Sequence, residues 1–473
     1  MLRILGPAYR HCDGVSRRGF LTVGAAGVAG LSLVELLRLD SLRVHAAEGS
    51  RSPAKAVINI HLDGGPPQMD MIDPKPTAPV EIRGEFRAID TKVPGLRISE
   101  LMPKVAAAAD RFAFIRSLVG SAGRHDAFQC QSGFGSKELE SIGGRPAMGA
   151  VVAKLRGSAD DPAPAFVDLM QGRPLVRDSA RPGFLGPAYR AFRPDISQLF
   201  PRELEAGMKS ELARLGAGHT TSLTLNPTLD AHRLGDRRQL LASLDGLRRD
   251  IDASGMMDAI DRFHQQAVSI LTSGRMADAL DLSKEDARVV ARYTPPAIEG
   301  ERFYTAEDHR SVRKFLLARR LIEAGVRTVS VSISDFDTHS GNFPRMRQLV
   351  PVVDHGLHAL VTDLEERGML DDVTVVAWGE FGRTPRINKN GGRDHWPKVS
   401  PAIVAGGGVR VGQVIGSTDR TASYATSRAI HYQDVIATLY KNLGIDPGLT
   451  TITDPRGRPH YLVEHGKPIA ELG

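Results

Sequence analysis

Between Glu307 and Trp378 the chain switches its hydrophobic period back and forth, and a parallel sheet clad in helices accommodates that pattern. Apolar residues at helical spacing run from about Glu307 to Ala324, and a β-branched run follows from Thr328 to Ile333. Helical spacing returns from about Pro351 to Glu366, before a second strand-like run from Val373 to Trp378. Parallel neighbours need a long crossover, and the intervening helices supply it. The expectation is therefore an α/β protein with a parallel, in part mixed, sheet between helices. Within the second helix Leu357, Leu360, Val361 and Leu364 recur at i, i+3, i+4 and i+7, and Gly368 lies just past the end, where a C-cap belongs. That face is core, so His355 and His358 read as surface or packing residues. Ala56 to Leu62 and Phe112 to Leu118 are two more strand runs, the first stopping at Asp63-Gly64-Gly65-Pro66-Pro67.

The amino terminus has a different logic. Ser16-Arg17-Arg18-Gly19-Phe20-Leu21 places paired arginines before an apolar stretch from Phe20 to Val34, and Val44-His45-Ala46 offers small residues for cleavage. This reads as a twin-arginine export signal over residues 1–46, with the Tat translocon as partner during export and the periplasm or the exterior as destination. The apolar stretch is about 15 residues, short of the roughly 20 that span a bilayer, so no stable membrane span is expected in the mature form. The working domain is then 47–473, with a probable helical cap or insertion at about 230–283, where Met256, Met257 and Met276 read as packing residues. Arg173 to Pro201, rich in Pro and Gly, reads as an ordered surface loop.

Charge narrows the class. The net charge is +6, of which the leader's six arginines against Asp13, Glu35 and Asp40 account for +3, leaving +3 on the mature part. So small a surplus on a large domain argues against a nucleic-acid surface. Cys12 departs with the leader, and Cys130 is left without an intramolecular partner.

In open α/β sheets ligands gather beyond the carboxyl ends of strands. Three places qualify: Asp63 after the first strand; Asp335-Phe336-Asp337-Thr338-His339 after Ile333; and Gly379-Glu380-Phe381-Gly382-Arg383 after Trp378, with Gly392-Arg393-Asp394-His395-Trp396 further on. Each offers carboxylates or imidazoles, which suit Zn²⁺, Mn²⁺ or Ca²⁺. The alternative is that Asp63 and Asp337 cap loops, Glu380 pairs with Arg383 and His395 packs beside Trp396. Arg383 and Arg393 would either grip an anionic substrate by their planar forks or neutralise Glu380 and Asp394.

Several segments together carry a resemblance that covers nearly all of the mature chain: Leu62 to Pro66, Asp73-Pro74-Lys75-Pro76, Gly183-Phe184-Leu185-Gly186-Pro187, Asp337-Thr338-His339, Gly379 to Pro385 and Gly392 to Pro397. The sequence resembles the bacterial exported family known as domain of unknown function 1501, which is in turn similar to the alkaline phosphatase and sulfatase superfamily. The resemblance implies an alkaline-phosphatase-like α/β fold with one or two divalent metal ions held by Asp63, Asp337, His339, Glu380 and His395. Phe381 stands where the two-metal phosphatases carry a histidine, which bears on the second ion. The superfamily's nucleophile position falls at about Ser121 to His125, so Ser121 is a candidate nucleophile, with His125 and Asp126 placed to bind metal or orient a water; a plain turn at Ser121 to Gly123 is the alternative. Cys130 is followed by Gln131-Ser132-Gly133 rather than the Cys-x-Pro-x-Arg that formylglycine formation needs, which excludes a sulfatase of that type. The expected function is an exported metal-dependent hydrolase of phosphate or sulfate esters, acting on an anionic sulfated or phosphorylated substrate with Ser121, His125 and Arg383 as catalytic candidates. The rival is a non-catalytic relative that binds a polysaccharide or an envelope partner.

Overall fold

The computed structural model describes residues 55–140, 143–158, 161–173, 178–214, 273–298 and 303–473. The expected export signal, 1–46, and most of the expected helical cap, 230–272, lie outside the described residues.

The main sheet is built from β1 (Ala56–Asp63), β2 (Ala113–Val119), β3 (Phe166–Leu169), β4 (Thr328–Ser334), β5 (Val373–Trp378), β6 (Ser400–Gly406), β7 (Gln413–Ile415) and β8 (Ile430–His431). Their order is β7-β2-β6-β5-β1-β4-β3, with β8 also beside β2. β1 pairs in parallel with β4 and β5, and β3 in parallel with β4. β6 alone runs the other way, antiparallel to both β5 and β2. The sheet is thus mixed, yet β1 to β5 all point one way and deliver the loops that follow them to a single edge.

Helices cover both faces. Among them are α1 (Pro103–Ala107), α2 (Phe128–Ser132), α3 (Met148–Arg156), α4 (Arg313–Glu323), α5 (Asn342–Glu366) and α6 (Tyr432–Asn442). On one face Ile58, Ile60 and Leu62 of β1 pack with Phe315, Leu317 and Leu321 of α4 and Leu357 and Leu360 of α5. On the other Val57, Val376 and Trp378 pack with Val151 of α3 and Val435 and Leu439 of α6. Each fully buried aliphatic side chain adds roughly 1.5–3 kcal/mol of transfer free energy, so this double-sided core is the main support of the edge.

Two boundaries differ from the sequence reading. α5 starts at Asn342 and carries Pro351 inside it, because Phe343, Met346, Leu349, Val350, Val353 and Leu357 keep one buried stripe running through the proline. Its end is as expected: Gly368 adopts φ +66°, its N–H reaches the Glu365 carbonyl at 2.9 Å, and Met369 N–H reaches Leu364 at 2.8 Å. α4 begins only at Arg313, after a 3₁₀ turn at His309–Val312. At the described end of the cap region, Arg275–Leu280 is helical and Met276 is buried against the core, as expected of a packing methionine. Among the described residues no helix is long and apolar enough to cross a membrane.

Candidate metal centre

The site begins inside β1. All eight of its residues are buried, and while Ile58, Ile60 and Leu62 serve the core, the alternate positions are Asn59, His61 and Asp63. A buried polar row must be partnered. Asn59 is: its Nδ2 donates to the Cys130 carbonyl at 2.8 Å, and its Oδ1 accepts from Trp378 Nε1 at 2.8 Å. Among the described residues His61 makes no hydrogen bond through either ring nitrogen; carboxylate oxygens lie near it, Glu380 Oε2 at 3.5 Å and Asp63 Oδ1 at 3.9 Å.

Glu380 arrives from the loop after β5 and is as buried as His61. Its Oε1 accepts from Gly64 N–H at 3.0 Å and lies 3.1 Å from His125 Nδ1, whereas its Oε2 has no hydrogen-bond partner among the described residues. Burial opposes ionisation of Glu380, but the His125 hydrogen bond and the His61 charge outweigh it, and its pKa falls below the ordinary value. Asp63 goes the opposite way, pushed up to about 7 by burial and by the Glu380 charge, because two adjacent buried carboxylates resist ionising together. Burial also lowers the pKa of His61, and the cluster of His61, Asp63 and Glu380 brings imidazole nitrogen and crowded carboxylate oxygen together.

Beside it lies a more open cluster of His125, Asp337 and His395. His125 Nε2 is 2.9 Å from Asp337 Oδ2, and His395 Nε2 is 3.1 Å from Asp337 Oδ1. His339 stands at the rim, its Nε2 3.0 Å from Asp337 Oδ1 and 3.2 Å from His395 Nε2, while its Nδ1 meets Asp394 Oδ1 at 2.7 Å. A carboxylate on the far imidazole nitrogen is the arrangement that orients metal-binding histidines. Burial opposes a charge on Asp337, yet hydrogen bonds to His125 and His395 and the Arg383 charge hold its pKa well below the usual carboxylate range. Burial likewise works against protonation of His125, but the carboxylates of Asp337 and Glu380 on its two ring nitrogens outweigh it and raise its pKa.

All five expected ligands, Asp63, Asp337, His339, Glu380 and His395, therefore stand at one sheet edge, together with His125. His61 was not anticipated: it hides in a run that reads as apolar, and the available signal was the alternation Asn59, His61, Asp63. Arg383 corrects the expectation of an anion-binding fork. It is fully buried, and its Nε donates to the Gly65 carbonyl, its Nη1 to the Arg393 carbonyl and its Nη2 to the Gly64 carbonyl and to Asp337 Oδ1, the last at 2.7 Å. It positions Asp337. Arg393 is committed in the same way, to Asp70 and to backbone carbonyls. The alternative pairings of Glu380 with Arg383 and of Asp394 with Arg393 do not form, since Glu380 faces histidines and Asp394 faces His339 and Asn388. Ser121 Oγ donates to the Glu380 carbonyl at 2.6 Å and accepts from Gly123 N–H at 3.0 Å, the geometry of a turn. Phe381 stacks on His395 with ring centroids 4.2 Å apart and walls the site on its apolar side.

The fold and the site define an α/β protein with histidine and carboxylate clusters converging at the carboxyl edge of a largely parallel sheet. Residues 54–472 match the family described as "Protein of unknown function (DUF1501)", and the chain belongs to that family. No curated protein matches it. Among solved structures it is similar to the PsFucS1 sulfatase from Pseudoalteromonas sp., at 11% identity over 88% of this chain and 73% of that one, with a TM-score of 0.35. It is also similar to the phosphonate monoester hydrolase of Agrobacterium radiobacter, at 15% identity over 88% of this chain and 78% of that one, with a TM-score of 0.31.

Proposed function

We propose that the protein is an exported hydrolase of phosphate or sulfate esters that works with one or two divalent cations held by His61, Asp63, Glu380, His125, Asp337 and His395, with His339 at the rim. The observation that carries this reading is the pair of buried groups facing each other without hydrogen bonds, the His61 imidazole and Glu380 Oε2. Each polar atom buried without a partner costs about 1–3 kcal/mol, and a cation between imidazole and carboxylate removes that cost. The donor set of ring nitrogens and carboxylate oxygens fits zinc or manganese better than calcium, which takes oxygen.

A bound cation supplies Lewis acidity, polarising an ester oxygen and lowering the pKa of a water. The chain supplies the rest. Glu380 turns Oε1 to His125 and Oε2 to His61, which ties the clusters together. His125 stands between the two clusters, Nδ1 3.1 Å from Glu380 Oε1 and Nε2 2.9 Å from Asp337 Oδ2, so that as a neutral imidazole it can offer a ring nitrogen to a cation. With the Ser121 hydroxyl committed to the Glu380 carbonyl, water is favoured over Ser121 as the nucleophile. The paired arginines Arg17 and Arg18 support export to the periplasm or beyond.

The test is metal content of the chain purified without chelator, alongside hydrolysis of p-nitrophenyl phosphate and p-nitrophenyl sulfate. Near-stoichiometric metal that is lost in His61→Ala, Asp63→Ala and His395→Ala is expected, with turnover falling on the order of a hundredfold or more in Asp337→Ala combined with His339→Ala. Undiminished hydrolysis in that double variant would sink the reading. One observation favours the binding-protein alternative: Trp396, next to His395, meets half-exposed Tyr424 edge to face at 5.7 Å, a surface on which a sugar ring can stack. Bound polysaccharide with no ester turnover would decide for it.

A further inference from the structure

Beyond the carboxyl end of β3 lies a cleft of about 850 Å³, lined by Gln171, Gly172, Phe200 and Arg202 among others. A second hollow, of about 600 Å³, shares Arg202, so this side chain stands in the wall between them. The cleft adjoins the candidate metal centre through Arg173, which follows Gly172 directly and places Nη1 3.4 Å from Asp337 Oδ2.

Arg202 is an unusual wall residue. Its side chain is only 6% exposed, yet its Nε and Nη1 make no hydrogen bond among the described residues. Nη2 donates to the Thr305 carbonyl. The acid it faces is Glu307, 3.5 Å from Nη1, and that carboxylate already accepts from the fully buried Lys314 at 2.8 Å and from Ser311. Two buried cations therefore share one carboxylate. The next acid, Asp335, is held by Arg345 and Thr305. A buried charge short of a counterion and of hydrogen bonds is costly, and an anionic group in the cleft is what balances it. Arg193, also on the cleft, is by contrast matched by Asp168 and Asp178, each at 2.6 Å. The chain also makes room: Gly172 has φ +73°, and a Cβ there would stand 2.8 Å from Arg202 Nη1.

We propose that this cleft is a subsite for an oxyanionic group, a phosphate, sulfate or carboxylate, drawn there by the charge of Arg202 that Glu307, shared with Lys314, leaves under-compensated, with Arg173 linking it to the metal centre. In calling that group part of a substrate the proposal rests on the hydrolase reading, and it then sets the substrate class: a polyanion carrying a second negative group besides the ester that reacts.

The experiment is titration calorimetry of the purified full chain with inorganic phosphate, before and after removal of metal with chelator, in wild type, Arg202→Gln and Arg202→Lys. Binding that survives chelation is expected, weakened about tenfold or more in Arg202→Gln and less in Arg202→Lys, with the metal content of both variants unchanged. The lysine variant keeps a charge against Glu307, so it serves as the test if the glutamine variant fails to fold. Phosphate binding abolished by chelation, or equal in wild type and both variants, would overturn the subsite and leave the hydrolase reading standing. Arg202-dependent binding in a protein that purifies without metal and turns over no ester would support the anion subsite and defeat the hydrolase reading instead.

Discussion

Gly64 shows how closely the edge is assembled. It has φ +105°, and a Cβ on it would lie 2.5 Å from the Asp337 backbone nitrogen, while its N–H donates to Glu380 and its carbonyl accepts from Arg383. One residue thus spaces the loop after β1 against the loops after β4 and β5. Gly64→Ala is expected to cost about 2 kcal/mol or more from the strained backbone alone and to part Asp63 from Asp337. Chemical denaturation and metal content per chain check this, and full metal loading in the variant would show that the spacing does not matter. At this scale the sequence was legible where a polar residue lies at a strand's carboxyl end or in the loop just beyond it, as Asp63, Asp337 and Glu380 do. It was illegible where a polar residue sits within the strand, as His61 does, and where burial redirects a side chain: Arg383 reads as a fork for substrate until its donors are seen on backbone carbonyls.

Elements set which of these residues can meet. The four parallel strands around β1 follow from the alternation of periods, whereas the reversal of β6 does not, since it inserts between β5 and β2, and β2 is distant in sequence. Pro351 likewise looks like a helix start, and only the continuous buried stripe shows why α5 runs through it. That helix carries a titratable support. Asp354, 3% exposed, accepts from Lys104 N–H at 3.1 Å and Val105 N–H at 2.7 Å, capping the first turn of α1. Burial pushes its pKa up to about 6, although those two N–H groups pull it down. With the folded pKa above the unfolded value of about 3.9, the folded state holds the proton longer. This group therefore favours folding below about pH 4 and loses its contribution as pH rises through about 6, a change of about 3 kcal/mol at most. Asp354→Asn is expected to remove that slope, so that wild type loses stability relative to the variant between pH 4 and 7 in urea titrations. Parallel curves would show that Asp354 ionises without penalty.

For the whole molecule, the question is why so many acids and imidazoles are brought to one edge of a sheet that the core holds in place. Parallel strands send the loops that follow them there, and among the described residues the resulting clusters are short of hydrogen bonds at His61 and Glu380. The general location was legible in the sequence, because strand ends can be read from period and turn residues. The split into a buried and a more open cluster was not, because it depends on which way each loop turns after leaving the sheet. If the clusters hold cations, folding and metal binding are linked: a cation at a thousand times its dissociation constant stabilises the folded state by about 4 kcal/mol. Over the entropy of unfolding of a domain this size, that corresponds to a fall in Tm of about 5 °C when chelator strips the site. Calorimetric scans with and without chelator measure it, and zinc or manganese, but not calcium, should restore the loss, because imidazole nitrogen is a poor ligand for calcium. A Tm indifferent to chelator would mean that the two clusters settle their own charge by proton sharing, with Asp63 protonated beside Glu380, and that the edge was built to bind something other than a metal.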